Sequence, residues 1–444
     1  MDYLTGVRPT ETLEINELLS AAKPRQKVKV NGAVHTIRNM GTVAFVILRK
    51  REGLLQCVYE EGIAEFKLKE IKEAAAIEIE GILEANEKAP NGIEIRMEKL
   101  KILSEPADER LPLAISKWKL KTSLEAKLNY RSISLRNVRE RAKFRIQEGL
   151  TRAFRDFLYS QGFTEIHTPK IGAKGAEGGA NIFKLDYFHR PAVLAQSPQF
   201  YKQMMVGVFD RVFETAPVFR AEKHNTKRHL NEYTSLDFEM GYIEGFEDIM
   251  AMETGYLQYA MELLSKDYAS ELKILGITLP KADKIPAVKF SEIKEAVSEK
   301  YGHKMRNPFD LEPEEEQLIS QYAKEEWDSD FVFVTHYPSK KRPFYAMDDP
   351  ADARYTLSFD LLFRGMEITT GGQRIHDYQM LAEKIAARGM TEEGMEDYLG
   401  TFKHGMPPHG GLGIGLERLT MKLVGEDNVR ETTLFPRDLS RLEP

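Results

Sequence analysis

The segment Phe213–Gly241 constrains the fold more than any other, because it places charges beside and inside two apolar runs that read as strands. Arg220 and Glu222 leave the first run, and Asp237 and Glu239 lie within the second. A buried charge is costly unless an opposite charge meets it, so these residues require partners. The pattern predicts an antiparallel hairpin with either an internal ion pair or an anion bound at its open end.

The loop that joins the two runs is strongly basic, and this favours the bound anion. It contains Lys223, His224, Lys227, Arg228 and His229. Such a cluster at the open end of a hairpin suits a polyphosphate. The sequence R-x-E, followed by a basic loop and R-H-L-N-E, resembles motif 2 of the class II aminoacyl-tRNA synthetases, and HNTKRHLNE is similar to the aspartate enzymes of archaeal type.

The composition is that of an ordinary globular protein. The chain has 444 residues, 42% of them hydrophobic and 30% charged, which allows two or three domains with their own cores. With a formal net charge of −6, nucleic acid would have to be bound through local basic patches. The single cysteine, Cys57, lies in an apolar run and is expected to be buried, and it permits neither an internal disulfide nor a cysteine-based zinc site. The sequence contains no membrane-spanning run and no recognisable signal peptide, so a cytoplasmic location is expected.

Residues 26–103 contain five short alternating runs that predict strands, with a helical segment over residues 63–74 between the third and the fourth. This order matches the OB-fold, although periodicity alone permits another small barrel. With the resemblance, the expected fold class is α+β: an OB-fold anticodon-binding domain over residues 1–107, a hinge over 108–135 and a class II catalytic domain over 136–444. The implied catalytic core is an antiparallel sheet of six or seven strands flanked by helices. An acidic, helical insertion without recognisable chemistry is expected at about residues 268–345.

The predicted barrel carries candidate RNA-binding residues. Phe45 could stack on an unpaired base beside Arg49 and Gln56, or it could belong to the core. The resemblance to the anticodon-binding barrels of the aspartate, asparagine and lysine enzymes implies that Phe45 and Gln56 contact the central U of the anticodon. It also implies a non-discriminating enzyme, since His35 and Pro90 stand where strict archaeal-type enzymes carry Trp and Lys. Drift at these two positions is the alternative.

Residues Val138–Gly162 carry apolar side chains at steps of three and four, which predicts an amphipathic helix ending at Gly162. The following run, FTEIHTPKI, predicts a strand closed by Pro169. This unit resembles class II motif 1, which forms the dimer interface in the family, and it therefore implies a homodimer.

Two neighbouring segments predict the amino-acid site. The Gly- and Ala-rich run 173–183 has the composition of a mobile lid, and its Glu177 matches the substrate-contacting position of the family's flipping loop. The sequence LAQSPQFYKQMM follows, and its Q-S-P-Q and Y-K signature matches the aspartate pocket of the family through Gln196, Gln199 and Lys202.

Two acids, Asp360 and Glu367, lie seven residues apart in a predicted pair of strands. They could hold one Mg²⁺, with phosphate oxygens completing the coordination of the metal, or they could pair with Lys or Arg. The resemblance implies that they are the metal-binding acids, with Thr370 where Ser is more usual. It also implies that Thr370 and Arg374 contact aspartate, and that Arg374 and Lys202 select aspartate over asparagine as cationic donors.

The run HGGLGIGLERLTMKL, residues 409–423, reads as a glycine-rich turn entering a helix, and its glycines also permit close packing on a sheet. Its ending resembles class II motif 3. The resemblance implies catalytic roles for Arg220, Glu222 and Arg418, with Arg220 on the α-phosphate and substrate carboxylate and Glu222 on adenine. The residues that it implies to bind ATP are Arg220, Ala221, Glu222, Arg228, His229, Leu230, Tyr233, Glu367, Gly415, Leu416, Glu417 and Arg418.

The implied reaction joins ATP and aspartate into aspartyl-adenylate and pyrophosphate, and then transfers aspartate to tRNA. Three interpretations remain. A relaxed enzyme would charge tRNA-Asp and tRNA-Asn and need a downstream tRNA-dependent amidotransferase, whereas a strict enzyme would charge tRNA-Asp alone. A non-catalytic nucleic-acid-binding paralogue would be expected to lack Arg220 or Arg418, and both are present.

Overall fold

The computed structural model describes residues 6–7, 9–20, 23–108, 110–173, 175, 181–224, 226–304 and 306–444. Glu177, predicted to contact the amino acid, lies outside these residues. The chain forms two compact units, Met1–Glu140 and Arg141–Pro444. Within the described ranges, none of the helices has the length and apolar character needed to cross a membrane.

The first unit contains a closed barrel of five strands in the order β1-β2-β3-β5-β4, which confirms the predicted barrel. A short helix, α1 (Ile15–Ser20), precedes the strands, which are β1 (Lys27–Asn39), β2 (Val43–Arg49), β3 (Leu54–Glu60), β4 (Ala76–Ala85) and β5 (Ile93–Ser104). Alternate side chains fill the interior, and Cys57 is buried there as expected. The predicted helix over residues 63–74 is wrong. Only the 3-10 turn Leu68–Glu70 forms, because the segment runs in an irregular path that lets Phe66, Leu68 and Ile71 all reach the barrel core.

The segment predicted as a hinge, residues 108–135, contains two short helices, α2 (Leu124–Asn129) and α3 (Arg131–Ser134). Ser123 caps α2 by accepting a hydrogen bond from Ala126 N at 3.2 Å. The domain boundaries given by the sequence stay predictions.

The second unit is built on an eight-stranded sheet in the order β12-β13-β16-β17-β18-β11-β10-β6. The six strands from β13 to β10 pair antiparallel, as predicted, while the short edge strands β12 and β6 each pair parallel with their neighbours. The strands of this sheet are β6 (Thr164–Glu165), β10 (Arg211–Phe219), β11 (Glu232–Gly241), β12 (Ala287–Lys289), β13 (Phe331–Thr335), β16 (Ser358–Phe363), β17 (Glu367–Arg374) and β18 (His409–Gly415). Two smaller sheets comprise β7 (Ile171–Gly172), β8 (Lys184–Tyr187) and β9 (Arg190–Leu194), and β14 (Asp348–Asp349) with β15 (Asp352–Thr356). The run FTEIHTPKI therefore supplies only the two residues of β6 to the main sheet, not a full strand.

Helices accompany the sheet of the second unit. They are α4 (Val138–Ser160), α5 (Gln199–Phe209), α6 (Glu247–Asp267), α7 (Ala269–Leu275), α8 (Phe290–Tyr301), α9 (Pro313–Trp327), α10 (Tyr378–Ala387), α11 (Glu396–Lys403) and α12 (Leu416–Val424). The predicted amphipathic helix is α4, and Gly162 follows it with a φ of +77°. Its buried Phe154 packs edge-on against Phe213 of β10, with ring centroids 5.8 Å apart, which joins helix and sheet in one core.

The predicted glycine-rich turn is a strand, β18, which pairs with β11 on one side and β17 on the other. A Cβ atom on Gly411 would lie 2.1 Å from Phe238 O and 2.2 Å from a carboxylate oxygen of Glu239. The glycines thus let β18 pass close to the charged side chains of β11 in the middle of the sheet.

Candidate active site

A cavity of about 770 Å³ lies over the centre of the sheet of the second unit, where β11, β16, β17 and β18 supply lining residues. The predicted hairpin is present as β10 and β11, and Arg220 directly follows β10. The cavity brings together most of the predicted site residues: Gln196, Gln199, Lys202, Arg220, Glu222, Arg228, His229, Leu230, Tyr233, Asp360, Glu367, Thr370, Arg374, Gly415, Glu417 and Arg418.

The cavity is lined by part of a buried charge cluster that includes Lys202, Asp237 and Arg374. Lys202 Nζ lies 2.9 Å from Asp237 Oδ1, 2.9 Å from Leu412 O and 3.3 Å from Glu239 Oε2. Arg374 donates from Nε to Glu239 Oε1 at 2.8 Å and from Nη2 to Gly411 O at 2.9 Å. Burial alone would raise the pKa of Glu239, but Arg374 and Lys202 outweigh it and hold that pKa below its usual range. Two basic side chains therefore meet two acidic side chains in this cluster.

Two amides border this cluster with polar atoms that need a ligand. Gln196 Oε1 and Gln199 Nε2 are buried, and within the described part of the chain neither has a hydrogen-bond partner. An unsatisfied buried polar atom costs about 1–3 kcal/mol. A bound molecule with both a donor and an acceptor, such as an amino acid, would satisfy both.

The predicted adenine and α-phosphate residues lie at the mouth of the hairpin. Asn231 fixes the backbone there, because its Nδ2 donates to Arg220 O at 2.8 Å and to Glu222 O at 3.1 Å. The guanidinium carbon of Arg220 lies 6.0 Å from the centre of the Tyr233 ring. Ala221 donates its N–H to Asn181 O at 3.0 Å.

Four predicted ATP residues also have structural partners. Leu416 is packed in the hydrophobic core, so it can reach a nucleotide only through its backbone. Both carboxylate oxygens of Glu417 accept the N–H of Thr234, at 3.0 and 3.1 Å, and burial raises the pKa of Glu417 to about 7. His229 Nδ1 lies 2.6 Å from Thr226 Oγ1, and Leu230 packs in a small apolar cluster. Burial also lowers the pKa of His229, which favours the neutral ring.

The two predicted metal acids lie on adjacent strands, and both line the cavity. Asp360 of β16 is paired in register with Thr370 of β17, and Thr370 Oγ1 donates to Glu367 Oε1 at 3.0 Å. Burial raises the pKa of Asp360 to about 6, since the pull of Arg342 towards the ionised form is partly cancelled by Glu367. Burial would also raise the pKa of Glu367, but the arginines at 418, 228 and 342 lower it below its usual range.

The side chains of Asp360, Glu367 and Thr370 fit Mg²⁺ only if substrate phosphates and water supply the remaining ligands. The described residues contain no group of three or more His, Cys, Asp or Glu side chains arranged to hold a metal ion. Two carboxylates and a hydroxyl are hard oxygen ligands, and Mg²⁺ commonly takes one or two carboxylates together with substrate phosphates and water. Arg342 Nη2 now lies 2.8 Å from Asp360 Oδ1, so a metal ion would share that oxygen with a cation.

The segment 268–345, in which the sequence shows no recognisable chemistry, contributes to the cavity. Lys340, Lys341, Arg342 and Tyr345 line it, and β12 and β13 of the same segment belong to the main sheet. The sequence left the role of this segment open, and the structure places these four residues on the cavity wall. The basic run KKRP was the available signal, but only the fold shows that it faces the cavity.

In the first unit, Phe45 lies outside the core. Its strand neighbours Ala44 and Val46 are inside the barrel, and the half-buried Phe45 points to the other face with the half-buried Arg49. The alternative of a core Phe45 is therefore excluded. Gln56 is held by a hydrogen bond from its Nε2 to Glu94 Oε2 at 2.8 Å.

The two residues that suggested relaxed specificity differ in exposure. Pro90 is exposed at the start of a 3-10 turn, where it can meet RNA. His35 lies within β1, at a bulge between Val34 and Thr36, and is only 3% exposed. The side chain of His35 is therefore buried in the barrel, whereas Pro90 lies on its surface.

Comparison with known proteins agrees with this geometry. Residues 123–439 match the family of class II tRNA synthetases (D, K and N), and residues 28–103 match the OB-fold nucleic acid binding domain. An aspartate-tRNA(Asp/Asn) ligase of Deinococcus radiodurans is 49% identical over 94% of this chain and 96% of its own. An aspartate-tRNA(Asp) ligase of Pyrococcus furiosus is 41% identical over 97% of this chain and 98% of its own.

Solved structures agree as well. The asparaginyl-tRNA synthetase of Pyrococcus horikoshii, complexed with asparaginyl-adenylate, superposes with a TM-score of 0.89 at 30% identity, over 98% of this chain and 100% of that one. The chain therefore belongs to the class II tRNA synthetases of the D, K and N group, in the family of the aspartate-tRNA ligases.

Proposed function

We propose that this protein attaches L-aspartate to tRNA in two ATP-dependent steps and that it charges both tRNA-Asp and tRNA-Asn. The observation that carries the proposal is that one cavity is lined both by Lys202 and Arg374 of the charge cluster and by three further arginines, Arg220, Arg228 and Arg418. An amino acid and a nucleoside triphosphate could therefore be held side by side.

The charge cluster would select the side chain of aspartate. Arg374 uses Nε and Nη2 for protein acceptors, so Nη1 is the nitrogen that a substrate carboxylate would meet. The contact of Lys202 with Glu239, at 3.3 Å, is its longest and the one that a substrate would replace. Asparagine would bring an amide NH₂ to these donors and leave them unsatisfied, which is costly in a buried site. Gln196 and Gln199 would hold the substrate's ammonium and carboxylate groups, together with Glu177.

In the first step, an oxygen of the aspartate α-carboxylate attacks the α-phosphorus of ATP, and pyrophosphate leaves. Both reactants are anions, so Arg220 would lie between them and offset their repulsion. Glu222 would accept a hydrogen bond from the adenine amino group while Tyr233 and Arg418 enclose the ring. Arg228 and His229 would hold the outer phosphates, with Arg418 also in contact with them. Asp360, Glu367 and Thr370 would hold Mg²⁺, which supplies charge neutralisation at the phosphates.

In the second step, a hydroxyl of the terminal ribose of tRNA attacks the carbonyl carbon of the adenylate, and AMP leaves. The barrel would bind the anticodon through stacking on Phe45 and polar contacts from Arg49 and Gln56. Two observations support dual specificity. Pro90 is exposed and has no hydrogen-bond donor that could select an anticodon base, and one similar protein is an aspartate-tRNA(Asp/Asn) ligase.

The proposal includes partners. The motif 1 resemblance of α4 and β6 supports a homodimer, and aspartate on tRNA-Asn would require a tRNA-dependent amidotransferase. A cytoplasmic location is part of the proposal, because tRNA charging serves translation.

The test is aminoacylation with labelled aspartate, using purified tRNA-Asp and tRNA-Asn transcripts side by side and labelled asparagine as a control. Comparable aspartate charging of both transcripts, without asparagine charging, is the expected result. Charging of tRNA-Asp alone would favour the strict enzyme, and no charging of either would refute the assignment.

A further inference from the structure

Glu316, on the first turn of α9, lies behind two residues that line the cavity, Arg228 and Glu367, and it belongs to the segment in which the sequence indicated no chemistry. Its two carboxylate oxygens accept hydrogen bonds from Arg228 Nη2 at 2.7 and 2.6 Å. Oxygen Oε2 also accepts the backbone N–H of Glu367 at 2.9 Å. Glu316 is only 5% exposed, so one buried carboxylate joins the basic loop after β10 to the first residue of β17.

A second residue joins the same two partners from the other side. Arg418 donates from Nε to Arg228 O at 3.2 Å and from Nη1 to Glu367 O at 3.2 Å. Arg228, Glu316, Glu367 and Arg418 thus form a closed ring of contacts drawn from the basic loop, α9, β17 and α12. Both bonds to Glu316 use Nη2 of Arg228, which leaves the Nε and Nη1 side of the guanidinium for a phosphate.

The start of α9 is itself fixed. The neighbouring Glu315 is fully buried, lies 3.3 Å from Lys294 Nζ and accepts the N–H of Glu312 at 3.0 Å as part of a capping box. Consecutive residues of a helix point about 100° apart, so Glu315 anchors the helix while Glu316 points towards Arg228.

From this geometry we propose that Glu316 is a positioning residue for the triphosphate of ATP: it orients the Arg228 guanidinium and ties it to the strand that begins at Glu367. This rests on the proposed function. Glu316 does not touch the nucleotide, and its charge opposes the binding of a tetra-anion. Electrostatics alone therefore predicts that its removal tightens ATP binding, whereas positioning predicts the opposite.

The experiment compares Glu316→Gln, Glu316→Ala and a matched control, Glu315→Gln, which changes a buried acid of the same helix whose contacts are with Lys294 and Glu312 and not with Arg228. Aspartate-dependent exchange of labelled pyrophosphate into ATP gives KM for ATP and for aspartate, and calorimetry gives the Kd of ATP without turnover. We expect Glu316→Ala to raise KM and Kd for ATP about tenfold, Glu316→Gln to raise them less, and the KM for aspartate to change less than about twofold. Glu315→Gln should lower Tm and leave both ATP constants unchanged.

Adding Arg228→Ala tests whether Glu316 acts through Arg228. The double variant Glu316→Ala/Arg228→Ala should bind ATP no more weakly than Arg228→Ala alone, because the partner has gone. Unchanged or tighter ATP binding in Glu316→Ala would overturn the inference, as would equal rises in both KM values together with a fall in Tm. If the wild type binds ATP but shows no aspartate-dependent exchange, the proposed function fails, and the ATP Kd still decides the role of Glu316.

Discussion

Replacing Lys202 by Met should separate the folding role of the buried charge cluster from its role towards aspartate. Lys202 is 2% exposed and lies within 3.3 Å of Asp237, Glu239 and Leu412 O. Its loss leaves two buried carboxylates facing the single cation Arg374. Removing one partner of a buried ion pair costs about 3–5 kcal/mol, which is a large part of the stability of a typical domain.

The variant Lys202→Met should therefore show a Tm lower by roughly 10 °C, measured by calorimetry or circular dichroism. Its KM for aspartate in pyrophosphate exchange should rise by at least about a hundredfold, because the site then carries a net negative charge and lacks a donor. The KM for ATP should change little, since the contacts of Lys202 are with Asp237, Glu239 and Leu412 O and not with the residues proposed to bind ATP.

The double variant Lys202→Met/Asp237→Asn restores the charge balance without restoring the cation. It should recover most of the lost Tm but none of the aspartate affinity. Recovery of aspartate activation by the double variant would refute the reasoning, because Lys202 would then serve only to neutralise Asp237. A fall in Tm of less than about 2 °C in the single variant would equally contradict the assigned burial cost.

Three further predictions follow from the structure. Burial raises the pKa of Glu253 to about 8, and Thr369 Oγ1 donates a hydrogen bond to Glu253 Oε1 at 2.5 Å. Since the pKa in the folded state lies above that in the unfolded state, the free energy of unfolding of the wild type should fall by up to ~5 kcal/mol as the pH rises from 4.5 to 8. Urea unfolding of Glu253→Gln should not show this fall, and parallel pH profiles of the two proteins would contradict the assignment. Phe45→Ala should raise the KM for tRNA about tenfold and leave pyrophosphate exchange unchanged. An equal KM for tRNA in the wild type and the variant would show that Phe45 does not contact the RNA. Glu367→Gln should increase the Mg²⁺ concentration that gives half-maximal pyrophosphate exchange. The same MgCl₂ dependence in the wild type and the variant would show that Glu367 does not bind the metal.

The features of the site that lie close together in sequence were predictable. The hairpin with Arg220 at its end, the acids of β16 and β17, and the Gln196–Lys202 segment each carry their signal in a local pattern of charges within apolar runs. Such patterns follow from the cost of burying charge, so they mark a site before its partners are known.

Other features depended on distant residues and were not predictable. Glu316 lies 88 residues from Arg228, and its neighbours in sequence are those of an ordinary acidic helix surface. Arg342 likewise pairs with Asp360 only because β13 and β16 are adjacent in the sheet. The glycine-rich run was read as a turn because glycine suits both turns and close strand contacts.

The sequence by itself determined the five-stranded barrel, the hairpin, the amphipathic helix α4 and the chemical types of residue available to the site. Only the tertiary structure decided which charges meet: Lys202 with Asp237, Arg374 with Glu239, and Glu316 with Arg228. The physical reason is the distance in sequence over which each kind of interaction acts. Periodicity and turn chemistry act over a few neighbouring residues, whereas the pairing of a buried charge depends on which strands and helices the sheet places beside each other.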